Sequence, residues 1–129
     1  HMLSLAMEEL KHGRSVILDG SFSRQKWRDE ARLLAEDLDA GFLMAVCTCD
    51  ESIMRQRLRE REGKGGVSDA RLRHLPSMIQ EFEPVAEGPP QSVMTLDMAL
   101  PAHTLLYDVL AKAYRLKSAQ VHQLMQNRL

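Results

Sequence analysis

One carboxylate and two arginines stand where they could support phosphate chemistry. Asp19 follows an apolar run that ends at Leu18, and Arg24 and Arg28 come soon after it. An acid at the end of a parallel strand lies in the crevice where open α/β sheets bind ligands. It could orient a magnesium-bound water there, or accept the proton of an attacking hydroxyl in phosphoryl transfer. The alternative is an aspartate that only caps a turn, because acidic residues are common in strand-to-helix turns.

Arg24 and Arg28 are four residues apart and therefore share one face of the helix that is predicted to begin there. A phosphate bound at that helix start would also meet exposed backbone N–H groups. The pair is thus a candidate for substrate binding. A solvated helix face, with Asp29 and Glu30 nearby, explains the same residues equally well.

The richest charged segment lies in the middle of the chain. Its members are Arg55, Arg57, Arg59, Arg61, Lys64, Asp69 and Arg71. Arg57 and Arg61 share a helix face, and a guanidinium donates two parallel hydrogen bonds to a phosphate. The glycine-rich stretch at 63–66 could close over a bound nucleotide. The alternative is a solvated helix whose glutamates neutralise its arginines.

Other kinds of site find little support in the sequence. No Gly-x-x-x-x-Gly-Lys-Ser/Thr phosphate loop occurs in the 129 residues, and the glycines at 63–66 follow a predicted helix rather than a strand. Cys47 and Cys49 lie two apart on a predicted strand, which indicates reduced structural thiols. The histidines show neither metal-ligand spacing nor a nucleophile to activate.

Composition indicates one soluble globular domain. The chain has 129 residues, 44% of them hydrophobic, and a formal charge of -1. That charge makes an RNA-binding module the weaker interpretation of the arginines, which also lack interleaved aromatic residues. Neither a signal peptide nor an apolar run of membrane-spanning length is present, so we expect a cytoplasmic protein without membrane contact. His1 and Met2 resemble a cloning remnant.

Hydrophobic periodicity and turn residues predict alternating helices and strands. Asp50 is the expected N-cap of the third helix. The order of elements predicts an α/β fold with a parallel sheet of about three strands and helices on both faces. The predicted helices are 3–11, 24–38, 51–62, 69–82 and 101–129, and the predicted strands are 15–19, 42–49 and 92–96.

The order and spacing of several short motifs resemble small P-loop kinase domains. These are the AAA-type ATP-binding domains related to polynucleotide kinase and zeta toxin, often fused to aminoglycoside-phosphotransferase-like domains. The motifs are Gly13 to Phe22, Trp27-Arg28, the helix with Arg55, Arg57, Leu58 and Arg61, Val67 to Arg71, and Phe82-Glu83-Pro84. The resemblance covers about residues 3–116, which leaves 117–129 as a helical extension.

The resemblance implies roles for individual residues. Asp19 would contribute to the magnesium and acceptor site, with an indirect contact to the metal. Arg57 and Arg61 would belong to a lid over the nucleotide, with Asp69 and Arg71 following the lid. We assign Arg57, Arg61 and Arg71 to nucleotide phosphates, and Arg24, Arg28 and Asp69 to the substrate.

The family would place a first strand and a phosphate loop before residue 3, so the chain resembles the C-terminal part of a kinase domain. The parent would use Mg²⁺ to transfer the ATP γ-phosphate to a hydroxyl acceptor. We expect this chain alone to be inactive and to hold neither ATP nor Mg²⁺. Loss of a central strand would leave two strand edges open, which predicts repacking or a homo-oligomer through a sheet edge or the last helix. The alternative function is a non-catalytic self-association or protein-interaction domain.

Overall fold

A computed structural model describes residues 1–62, 72–86 and 88–126 of the chain. Within these ranges the fold contains five α-helices, two short 3₁₀ turns and a parallel sheet of two strands, which confirms the predicted α/β class. In chain order the elements are α1 (Met2–Lys11), α2 (Gln25–Asp37), β1 (Met44–Thr48), α3 (Glu51–Glu62), a 3₁₀ turn (Leu72–His74), α4 (Leu75–Glu81), a 3₁₀ turn (Pro90–Ser92), β2 (Val93–Asp97) and α5 (Ala102–Gln126).

The two strands pair in parallel over their whole length. Met44 lies opposite Val93, and Thr48 lies opposite Asp97. The N–H of Met98 donates to the carbonyl of Thr48 at 2.8 Å, so the ladder continues one residue beyond β2. Parallel neighbours need a long crossover, and the helices α3 and α4 lie within it.

The predicted strand at 15–19 is not confirmed. The segment has no strand assignment, and Ile17 at its centre is 94% exposed. A strand forms only where a neighbouring strand takes up its backbone hydrogen bonds, and no described strand pairs with this segment. The expected coverage of the 42–49 strand on both faces is also wrong among the described residues, because Ala45 and Cys47 are exposed.

The helices α1 and α2 end in the same way, with a residue in the left-handed region. Gly13 has φ of 71° after α1, and Asp39 has φ of 51° after α2. After α2, the N–H of Ala40 donates to Ala35 and that of Asp39 to Glu36, the pattern of a Schellman end. Glycine adopts this conformation without steric cost, whereas aspartate does not.

We therefore expect Asp39→Gly to raise the free energy of unfolding by about 0.5–1 kcal/mol. Asp37→Gly is the matched control, because it places glycine in the last helical turn of α2 and should cost about 0.3 kcal/mol. Urea denaturation of both variants tests the difference. Equal destabilisation by the two glycines would contradict it.

The described core is small and comes from the five helices and β2. No large side chain in the described ranges is fully buried, and the buried apolar residues are Ala6, Ala31, Ala35, Leu58, Leu75, Leu96 and Leu105. Trp27 on α2 is 46% exposed and lies outside this core. Stability therefore depends on a few aliphatic side chains and on polar contacts between segments.

The helix α5 is the longest element, at about 37 Å for 25 residues. It runs without interruption through residues 116 and 117, where the resemblance to P-loop kinase domains was expected to end. Its inner side packs on the domain, with Leu105 buried and the Gln120 side-chain amide donating to the carbonyl of Asp39. Among the described residues, no helix combines the length and apolar character needed to cross a bilayer.

Candidate functional site

The carboxyl ends of β1 and β2 lie at the same edge of the sheet, because the strands are parallel. Two residues beyond β1, Asp50 caps α3 as predicted. Its Oδ1 accepts hydrogen bonds from the side-chain hydroxyl of Ser52 and from the Ser52 N–H, the latter at 2.8 Å. These bonds, together with the N–H of Ile53, hold the pKa of Asp50 below its ordinary value.

The lowered pKa of Asp50 makes its cap pH-dependent. A carboxyl whose pKa is lower in the folded state stabilises the fold above its unfolded pKa of about 3.9. The contribution is lost as the pH falls through the folded pKa. We expect the urea midpoints of the wild type and Asp50→Ala to differ most near pH 7 and to converge as the pH falls through the folded pKa of Asp50. A gap that stays constant across this range would contradict the assignment.

Arg57 reaches the same edge of the sheet from α3. Its Nη2 donates to the carbonyl of Met98 at 2.8 Å, directly after β2. Arg61 lies on the same face of α3, is exposed and forms no hydrogen bond with the described part of the chain. Arg55, on the opposite face, is paired with Glu51. Arg57 and Arg61 are therefore the α3 guanidiniums on the side of the sheet edge.

Asp97 is an acid at this edge that the sequence analysis missed. It is the last residue of β2, and its Oδ1 accepts from the N–H of Ala99 at 2.9 Å. The signal was present, because an acid directly after an apolar run is also the pattern at Asp19. The bond to Ala99 forms a local turn, so this carboxylate already has a structural partner.

Asp19 is exposed and forms no hydrogen bond or ion pair with the residues that the structure describes. The turn after it is strained, since Phe22 has φ of 39°, a conformation that aromatic residues rarely adopt. A side chain on Gly20 would lie 3.3 Å from the Phe22 ring, so this turn has little spare room. Strained turns of this kind cluster at ligand sites, where surrounding contacts hold them in place.

Arg28 supplies such contacts. It is only 3% exposed, and its Nη1 donates to the carbonyl of Phe22 at 2.9 Å. Its Nη2 donates to the carbonyl of Pro84 at 3.2 Å, and the guanidinium carbon lies 5.7 Å from the centre of the Phe82 ring. One buried arginine therefore joins the turn after Asp19 to the segment after α4.

Glu83 makes the second half of this connection. Its Oε2 accepts from the N–H of Gln25 at 2.6 Å, and its Oε1 lies 3.6 Å from Nη1 of Arg24. The Glu83 N–H donates to the carbonyl of Ser23 at 2.8 Å. Glu83 thus occupies the start of α2, where the sequence analysis expected a phosphate. We refer to the contacts of Arg24 and Arg28 with residues 82–84, together with the bond from Arg28 to Phe22, as the α2 clamp.

The sequence-predicted residues thus fall into separate environments. Arg24 and Arg28 belong to the α2 clamp, Arg57 belongs to the sheet edge, and Asp69 and Arg71 lie outside the described residues. Ser23, a residue type that often caps helices, contributes only its backbone carbonyl at the start of α2. No group of three or more His, Cys, Asp or Glu side chains in the described ranges is arranged to hold a metal ion.

Comparison with protein families gives one relevant match. Residues 1–85 match a family described as an AAA domain, which is 85 of the 129 residues. Comparisons with curated proteins and with solved structures give no match. The matched range includes Asp19, the α2 clamp, Arg57 and Arg61. The strand β2 and the helix α5 lie beyond it. The chain therefore belongs to the AAA domain family, whose character is that of a P-loop kinase-like, nucleotide-binding domain.

Proposed function

We propose that this chain is part of an ATP-dependent phosphotransferase that acts on a hydroxyl acceptor. The supporting observation is the AAA domain match over residues 1–85, together with the contact that holds Arg57 at the carboxyl edge of the sheet. Arg57 and Arg61 would neutralise nucleotide phosphates, because guanidinium groups bind phosphate oxygens in pairs. Arg71 would act with them.

Asp19 would serve the other half of the reaction. An exposed carboxylate without a described partner is available to orient a magnesium-bound water or to accept the proton of the attacking hydroxyl. Asp69 and the α2 clamp arginines would lie on the acceptor side. Because Glu83 already satisfies Arg24 and the start of α2, a phosphate could bind there only by displacing that carboxylate.

The chain of 129 residues should not turn over ATP by itself. Phosphoryl transfer depends on positioning and on electrostatic stabilisation, and the sequence contains no phosphate loop to supply the backbone cradle and lysine. We expect the remaining arginines to give at most millimolar affinity for magnesium-ATP, about -4 kcal/mol. Tight binding or robust turnover by the chain would contradict this proposal.

The experiment is a titration of the ¹⁵N-labelled chain with magnesium-ATP, followed by NMR. Arg57→Ala/Arg61→Ala should remove most of the shift changes along α3. Arg55→Ala/Arg59→Ala is the matched control, because it removes the same charge from the opposite face and should leave most of the changes in place. Equal loss in both double variants would indicate non-specific charge attraction and would count against the phosphate role of Arg57 and Arg61.

A non-catalytic interaction domain is the second candidate. It is favoured by exposed apolar side chains, because Ile17 is 94% exposed and Ala45 and Cys47 on β1 are open to solvent. Exposed strand edges and apolar segments pair readily with other chains. Ile17→Glu would weaken such an association and would leave the α3 response to ATP unchanged.

A further inference from the structure

We propose that α5 pairs antiparallel with α5 of a second copy of this chain. The starting observation is that α5 has two apolar sides. At 100° per residue, Leu105, Val109 and Leu116 lie within about 40° of one another. They are buried or half-buried and face the domain.

A second apolar stripe lies about 180° away, on the outer side of α5. Its residues and their exposed fractions are Tyr107 at 73%, Leu110 at 59%, Tyr114 at 74%, Val121 at 49% and Met125 at 65%. A shallow groove on this side is lined by Tyr114, Val121 and Met125, with Lys117, Ser118 and His122. We call this set of five apolar residues the outer stripe.

The spacing of the outer stripe indicates a helix as its partner. Tyr107, Tyr114 and Val121 recur every seven residues, with Leu110 between the first two, which is the repeat of helices that pack along their length. A second copy offers a stripe of the same length and the same spacing. Self-pairing of this kind is the basis of two-fold symmetric dimers.

The available area is sufficient for a dimer. Burying the two tyrosines removes roughly 300 Å² per copy from water. Leu110, Val121 and Met125 add a similar area, so both copies together approach about 1,200 Å², the lower end of stable interfaces. An uncovered stripe of this length would be unusual for a monomer.

Lys117 and the helix dipoles favour the antiparallel orientation. Lys117 flanks the outer stripe in the second half of α5, about 60° from Tyr114 around the helix. A parallel pair would stack Lys117 on Lys117, whereas an antiparallel pair that aligns the two outer stripes places it near Tyr114 of the second copy. Antiparallel helix dipoles also attract. A register with Leu110 against Val121 of the second copy satisfies these conditions.

Light scattering over a range of protein concentrations tests the association. The chain is expected to form a dimer of twice its mass of 14.7 kDa. Tyr114→Glu should weaken the dimer at least tenfold without loss of helix content, because residue 114 faces solvent in the monomer. Leu110→Gln provides a second variant with the same expected direction, and Gln80→Glu, at an exposed position of α4, is the control that leaves α5 intact. A monomer at every concentration, or a dimer unaffected by Tyr114→Glu and Leu110→Gln, would overturn the proposal.

A distance measurement tests the orientation. A nitroxide at Gln126→Cys, in a Cys47→Ser/Cys49→Ser background, lies away from the outer stripe. The antiparallel dimer should place the two labels about 33 Å apart, whereas a parallel pair would place them within roughly 15 Å. The short distance would overturn the antiparallel arrangement. Neither measurement depends on nucleotide binding, so this inference and the proposed function can fail independently.

Discussion

Replacing Arg28 with methionine is expected to lower the free energy of unfolding by about 3 kcal/mol, because two charge-assisted hydrogen bonds and a cation–π contact disappear together. Methionine retains much of the aliphatic stem, so the loss comes mainly from the guanidinium. The carbonyls of Phe22 and Pro84 would each lose a buried donor. The strained turn at Phe22 would also lose the contact that holds it.

Urea denaturation measures this effect, with two variants for comparison. Arg24→Met removes a guanidinium whose side chain is 54% exposed and lies 3.6 Å from Glu83, so it should cost less than about 1 kcal/mol. Arg28→Lys keeps the charge but not the planar fork that reaches two carbonyls, and its cost should be intermediate. If Arg28→Met were as stable as Arg24→Met, the α2 clamp would not be the stabilising contact that its geometry indicates.

Leu96→Ala should have an effect of similar size, about 3 kcal/mol, through a different mechanism. Leu96 is 8% exposed and lies on β2 opposite Cys47. Truncation leaves a cavity in a core that consists of only a few aliphatic side chains, and the loss of transfer energy adds to the cost of that cavity. The parallel sheet would lose its main buried contact.

The neighbouring residue provides the control. Thr95 is exposed on the same strand, and Thr95→Ala should change the free energy of unfolding by about 0.5 kcal/mol or less. Denaturation curves of both variants, read at two wavelengths, would also show whether the sheet unfolds together with the helices. Equal stabilities of Leu96→Ala and Thr95→Ala would mean that β2 does not carry the core.

The two large effects bear on the proposed function in different ways. Leu96 supports the sheet whose carboxyl edge carries Arg57, whereas Arg28 supports the turn that follows Asp19. The α2 clamp also joins that turn to the segment after α4. A ligand that displaced Glu83 would therefore loosen both segments, because Glu83 contacts Ser23, Arg24 and Gln25.

Local sequence signals determined most of the helices and their ends. The exception is the fourth helix, predicted at 69–82, because residues 72–74 form a 3₁₀ turn and α4 begins only at Leu75. The prediction for the third helix, 51–62, agrees with Glu51–Glu62, and the second helix differs by one residue at each end. Asp50 could be predicted as a cap because a capping aspartate interacts with residues only two and three positions later, here Ser52 and Ile53. Such interactions depend only on nearby residues, so a single sequence contains the necessary information.

Strand pairing and long-range polar contacts were decided by the tertiary structure. The run Val16 to Leu18 has strand composition, yet it pairs with neither described strand, because a strand needs a suitably placed neighbour elsewhere in the chain. The partner of Gln25 lies 58 residues away at Glu83, and no spacing rule connects them. Arg28 shows the same limit. The local sequence is equally consistent with an exposed arginine that binds phosphate and with a buried arginine that joins two segments. Its actual environment follows from the packing of Phe82 and Pro84 against α2, since burial is a property of the folded chain rather than of a residue type.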